Sequence, residues 1–104
     1  MDVKCKSLTE VREYIDKIDK EIVRLLADRG HLIDQVVDFQ PKGTDHDSAQ
    51  RVLDVIEHVR SCAKEEGLNP QIAEKVYRSV INAFRIEQLL KEIPEYKDLK
   101  KSYY

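Results

Sequence analysis

From Leu8 onward the apolar residues recur as Leu8, Val11, Ile15, Ile18, Ile22, Leu25, Leu32 and Val36. With Arg29 counted between Leu25 and Leu32, every step is three or four, the spacing that keeps side chains on one face of a helix. Ser7-Leu8-Thr9-Glu10 opens this helix in capping-box form, with a hydroxyl at the cap and a Glu three residues on. The seam continues to about Val37 without a proline. Gly30 costs roughly 1 kcal/mol relative to Ala, which weakens the helix locally without ending it. Phe39 to His46, with Pro41-Lys42-Gly43 inside it, reads as a loop.

A second helix is expected from Asp45 or Asp47, with Ala49, Val52, Leu53, Ile56, Val59 and Ala63 on its apolar face. Glu65-Glu66-Gly67-Leu68 closes it, Gly67 placed to leave the helix in the left-handed conformation and Leu68 as its apolar follower. Asn69-Pro70 opens a third helix, Asn as cap and Pro in the first turn. Its stripe runs Ala73, Val76, Tyr77, Val80, Ile81, Phe84 and Gln88, and Pro94 marks its end. The tail Tyr96 to Tyr104 has no assignable element. The expectation is therefore an all-α fold, one domain over residues 1–104 with its core at about 7–93 and the tail 94–104 unassigned.

Length discriminates between architectures. Roughly 30 helical residues span about 45 Å, whereas a compact 100-residue domain has a radius of gyration of about 13 Å. The first helix outruns a monomeric three-helix bundle, and its far half would leave its seam in water. A second copy of the chain covers it, so the expected assembly is an intertwined homodimer of three-helix protomers.

Charge and composition narrow the class. The 104 residues are 37% charged and 41% hydrophobic, with three Gly, three Pro and no Trp, a mix that suits a soluble helical protein. Eighteen basic residues against twenty acidic ones leave a net charge of −2. There is no basic tract, so a nucleic-acid partner is not expected. Met1-Asp2-Val3-Lys4 is followed by no apolar run, which argues against a secretory signal or membrane span and for a cytoplasmic protein. Cys5 and Cys62 lack zinc spacing, no metal or cofactor is expected, and Cys62, near Val59 and Ala63, reads as a small core residue.

The candidate chemistry lies in polar residues on apolar faces. Arg29 interrupts the first seam, where a cation is costly unless an anion meets it, be it a structural partner or a ligand. Gln40 continues the Val36 side of that seam and Gln88 ends the third stripe. Arg12 lies one turn after Leu8, and Arg85 one turn before Leu89. Singly, each of these can have a structural partner. Together they offer guanidinium forks and amide donors without a Cys–His, Ser–His or acid pair, an inventory for binding a small dicarboxylate.

The run Val11-Arg12-Glu13-Tyr14-Ile15-Asp16-Lys17-Ile18-Asp19, followed by Leu25-Leu26-Ala27-Asp28-Arg29, resembles the opening helix of all-helical chorismate mutases. Glu66-Gly67-Leu68-Asn69-Pro70 and Ile86-Glu87-Gln88 extend the resemblance over roughly residues 5 to 91, closest to the isochorismate-pyruvate lyase branch. The resemblance implies an intertwined dimer and the rearrangement of chorismate to prephenate, with isochorismate-pyruvate lyase or an amino-chorismate mutase as alternatives. It implies that Arg29 binds a substrate carboxylate in its own protomer, that Arg12 reaches into the partner's pocket, and that Gln88 donates to the ether oxygen. The sequence departs from the family at Gln40, where the family has a lysine, at Gln50, followed by Arg51, where an acid is usual, and at Phe84, where many mutases carry a small hydroxyl residue. Gln40 and Gln88 are thus the candidate catalytic residues, and Arg12, Arg29, Gln50, Arg51, Phe84 and Arg85 the candidate substrate-binding ones. A catalytically weak paralogue that binds a metabolite or a partner protein is the non-enzymatic alternative.

Overall fold

The computed structural model describes residues 2–39 and 48–91, together with 93 and 95. Three α-helices account for nearly all of them: α1 (Leu8–Phe39), α2 (Ala49–Glu66) and α3 (Pro70–Leu90), with no strand among the described residues. The chain divides into two compact units, Met1–Lys42 and Gly43–Tyr104. No helix among the described residues is long and apolar enough to cross a membrane.

In the first unit, α1 begins where the capping box places it. The Glu10 backbone N–H donates to Ser7 Oγ at 3.1 Å, and Glu10 Oε2 accepts from the Lys6 backbone N–H at 3.3 Å. The helix continues through Gly30 and takes in Phe39, one residue into the expected loop. Its polar surface is held by short-range pairs. Arg24 grips Glu21 through both Nε and Nη2, and its Nη1 donates to Asp28 Oδ2 at 3.1 Å. Lys17 Nζ stands 5.4 Å from the centroid of the Tyr14 ring. Such three- and four-residue pairs support a long helix from its own surface. The apolar seam is not used in the same way. Leu8, Val11, Ile15, Ile18, Ile22, Leu25 and Leu32 all remain between 38% and 64% exposed.

In the second unit, both junctions follow local rules. Gly67 takes φ 77°, the left-handed conformation expected of it. Its N–H donates to the Lys64 carbonyl, and the Leu68 N–H donates to the Ala63 carbonyl at 2.8 Å, which together close α2. Asn69 Oδ1 then accepts from the Gln71 N–H at 2.9 Å, with Pro70 opening α3. The start of α2 corrects the expectation of Asp45 or Asp47. Ser48 is the cap, its hydroxyl accepting from the Arg51 N–H at 3.3 Å, and Ala49 is the first helical residue. A hydroxyl reaches the third N–H of the helix as well as a carboxylate does. At the other end, α3 stops at Leu90, four residues short of Pro94.

Among the described residues the buried hydrophobics are Ile56, Val59 and Ala63 from α2 with Ala73 and Ile81 from α3; Val59, Ala63 and Ala73 form one cluster, against which Val55 and Tyr77 pack. Small residues at 63 and 73 let the helices approach beside the tight Gly67 turn. Arg60 Nη1 donates to Glu74 Oε1 at 3.0 Å across the two helices, and Arg78 Nε donates to Glu74 Oε2 at 2.9 Å. The hydrogen bond from Arg78 and then that from Arg60 hold the Glu74 carboxyl below the ordinary carboxylate range. Several residues expected in the core are not there. Leu53 and Val76 are each 52% exposed and Ala49 is exposed. One partner helix covers a narrower arc than the full apolar stripe. Cys62 is only half-buried, its Sγ 3.7 Å from His58 Nε2 one turn back.

Candidate functional site

Two turns of α3 carry three of the candidate residues. Phe84 and Gln88, four apart, are half-buried on one side, and Arg85 is exposed beside them. This arrangement follows from helix geometry, because positions i and i+4 share a face while i+1 lies about 100° round the axis. Gln88 is thus half-buried one turn beyond Phe84, at the end of the stripe Val80, Ile81, Phe84. Its amide is neutral, so this position can donate a hydrogen bond at low desolvation cost compared with a charged side chain.

The first turn of α2 carries Gln50 and Arg51, both exposed. Gln50 Nε2 donates to Asp54 Oδ1 at 2.9 Å, so an acid does stand near this turn, but at position 54. Arg51 contributes its backbone N–H to the Ser48 cap, and its side chain extends from the exposed face. The start of α2 runs beside the second half of α3. Val52 lines a cavity of about 180 Å³ together with Arg78, Ile81, Asn82 and Arg85. Gln50 and Arg51 thus lie in the first turn of α2, and Phe84, Arg85 and Gln88 in the last two turns of α3; of these five, Arg85 lines the cavity.

On α1, Arg12 is exposed near the start of the helix and Arg29 is half-buried, although the apolar residues around it on the seam are exposed. Gln40 lies outside the described residues, as do Lys42 and most of the tail from Pro94. Arg78 and Asn82 are additions that the sequence reading did not single out. The signal was present: Arg78, Ile81, Asn82 and Arg85 follow the spacing of one helical face, offset from the apolar stripe.

The candidate side chains in the first turn of α2 and the last two turns of α3 are cations, amides and an aromatic ring, with the Asp54 carboxylate beside Gln50. Among the described residues no group of three or more His, Cys, Asp or Glu is placed to hold a metal. Guanidinium groups bind carboxylates through two parallel hydrogen bonds, and amides donate to ether or carbonyl oxygens. The chemistry available here is recognition of an anionic, oxygen-rich small molecule.

Residues 11–89 match the family described as chorismate mutase type II. The chain is 27% identical over 77 residues to a chorismate mutase of Methanocaldococcus jannaschii, covering 73% of this chain and 78% of that protein. It is also 27% identical over 85 residues to an isochorismate pyruvate lyase of Pseudomonas aeruginosa, covering 82% of this chain and 84% of that protein. The matched stretch contains every candidate residue from Arg12 to Gln88.

Proposed function

Because the chain belongs to the chorismate mutase type II family, we propose that it rearranges chorismate to prephenate, within an intertwined homodimer. The carrying observation is the match over residues 11–89, which includes Arg12, Arg29 and Gln88. In this reaction one C–O bond breaks as one C–C bond forms, within a cycle of electron pairs that needs neither base nor nucleophile. The protein's task is to hold the folded conformer and to stabilise negative charge growing on the ether oxygen. Arg29 takes one substrate carboxylate in its own protomer. Arg12 reaches into the partner's pocket for the other, and Gln88 donates to the ether oxygen. Gln50, Arg51, Phe84 and Arg85 complete the substrate-binding set. The exposed seam of α1 supports the dimer, because it offers a second copy a continuous apolar face.

Gln40 shapes the rate. A neutral amide at the end of α1 donates a hydrogen bond but supplies no charge to the departing oxygen. One such electrostatic donor is typically worth ~10²–10³ in rate. Gln40→Lys should therefore raise kcat with a smaller effect on KM, because the oxygen's charge develops only as the bond lengthens. A rate left unchanged by this substitution removes Gln40 from the catalytic role.

The similarity to a lyase over 85 residues favours a second reading, loss of pyruvate from isochorismate. One experiment separates the readings. Purified protein is offered chorismate, isochorismate and 4-amino-4-deoxychorismate separately, and the products are identified. Prephenate from chorismate is the expected result, and pyruvate from isochorismate alone would establish the lyase. Conversion of none of the three overturns the enzymatic reading in favour of a metabolite- or partner-binding paralogue.

A further inference from the structure

The second helix carries a pair of metal-ligating side chains that the proposed reaction does not use. His58 and Cys62 are four residues apart, so helix geometry stacks them on one face. The Cys62 Sγ stands 3.7 Å from His58 Nε2 and 4.0 Å from Nδ1. A tetrahedral zinc ion holds sulfur at about 2.3 Å and imidazole nitrogen at about 2.0–2.1 Å, which sets the two ligand atoms roughly 3.6 Å apart. The pair therefore stands at the spacing of two ligands on one ion, with no change of backbone. His58 is exposed and Cys62 half-buried, so a cation reaches both from solvent. The local charge favours its arrival. From Asp54 to Glu66 four acids stand against two cations, Arg60 and Lys64, and Arg60 is engaged by Glu74. Thiolate with imidazole selects zinc over magnesium and calcium, which prefer oxygen ligands.

We infer that His58 and Cys62 form a chelating site for a zinc-type divalent cation on the exposed face of α2. Binding releases the Cys62 thiol proton to solvent and uses the neutral imidazole of His58. Among the described residues no third His, Cys, Asp or Glu is placed to join the pair, so water fills the remaining positions. Such a site is open and exchanging, unlike the closed four-ligand sites that hold a fold together. Its effect is local. An ion shared by positions 58 and 62 bridges successive turns of α2 and stabilises the folded chain by mass action. The site stands whether or not the chain converts chorismate, because neither residue belongs to the candidate substrate-binding set.

The test uses the full chain, reduced and freed of metal, titrated with cobaltous chloride and then with zinc chloride in competition. Wild type should develop thiolate-to-cobalt charge-transfer absorption in the near ultraviolet, and zinc should abolish it by displacing the cobalt. Cys62→Ser should remove the band, whereas Cys5→Ser should leave it intact. His58→Gln should weaken cobalt binding by at least about tenfold, since even a group that only orients a metal ligand is worth that much. Circular dichroism checks that each variant keeps its helices, and Cys62→Ala replaces Cys62→Ser if the latter does not. Zinc should also raise the melting temperature of wild type and not that of the double variant His58→Gln, Cys62→Ser. Absence of a charge-transfer band at millimolar cobalt overturns the site, as does a band that survives Cys62→Ser. A band that keeps its full affinity in His58→Gln reports an adventitious ion on a single thiol, and it overturns the chelate equally.

Discussion

In the α2–α3 unit, Ile56, Val59, Ala63, Ala73 and Ile81 are buried and the Arg60–Glu74 ion pair crosses between the helices. On α1, by contrast, none of the seven apolar residues from Leu8 to Leu32 on the seam is buried, although the helix is the longest of the three. Both stretches have the same periodicity, so periodicity alone does not distinguish a face covered within the chain from one left open. Fully burying such side chains is worth roughly 1.5–3 kcal/mol each. Covering the remaining half of seven therefore offers on the order of 5–10 kcal/mol per copy, an upper figure because unfolded chains already bury part of their apolar surface. The α2–α3 pair depends on its own small core and well-made caps. The α1 helix carries a surface whose stabilisation has to come from elsewhere, and in our proposal from a second copy.

A charge placed in the seam should have the largest effect. Wild type should sediment as a dimer at micromolar concentration. Ile18→Asp should give a monomer that loses most of the helical dichroism of α1, because a carboxylate at this position opposes burial. A wild-type chain that sediments as a fully helical monomer would break the comparison, and the cross-protomer role of Arg12 would fall with it. Within the α2–α3 core, Ile56→Ala should lower stability by about 2–5 kcal/mol in urea unfolding, the usual loss for emptying a buried isoleucine site. A loss well under 1 kcal/mol would show that the small core is not what holds these two helices.

Arg29 sharpens the contrast within α1, as a half-buried cation between the exposed Leu25 and Leu32 of the apolar seam. If it serves the substrate, Arg29→Ala should remove chorismate binding with melting nearly unchanged. If its role is structural, the same change should instead cost roughly 3–5 kcal/mol of stability, with affinity kept in the folded fraction. The smallest effect is expected at Glu74. Its carboxyl is held low by Arg78 and Arg60, so its contribution is present above the ordinary carboxylate range and is lost as pH falls through the lowered value. Glu74→Gln should lower stability slightly in the neutral region and converge with wild type at low pH, so that its acid limb is shallower. An acid limb identical to wild type would mean that the pair adds no stability across the helices.

Several features were legible because their causes are local. Ser7 with Glu10, Gly67 with Leu68, and Asn69 with Pro70 each satisfy backbone groups within five residues, and all three form as the sequence implies. The start of α2 was misplaced because Asp45, Asp47 and Ser48 are all competent caps and only the chain's path selects one. Leu53 and Val76 were assigned to the core by spacing, yet stay half exposed, because the width of a covered stripe depends on the partner helix and not on the stripe itself. The residues with site potential divide in the same way. Arg12, Arg29 and Gln88 could be read from a family motif, and Arg85 from its position beside Gln88. Arg78 and Asn82 gained meaning only once Val52 was seen to face them.

The sequence by itself determined three helices, the start of α1, the junction of α2 with α3, and the family, since caps, periodicity and motif spacing act over a few turns of one helix. The tertiary structure decided which apolar residues are buried, that Glu74 joins Arg60 to Arg78, and that the start of α2 forms a small cationic cavity with α3. The Arg60–Glu74 pair spans fourteen positions, and Val52 and Arg85 of the cavity stand thirty-three apart. No local propensity specifies such pairs, because they exist only once two helix surfaces have met and excluded water between them.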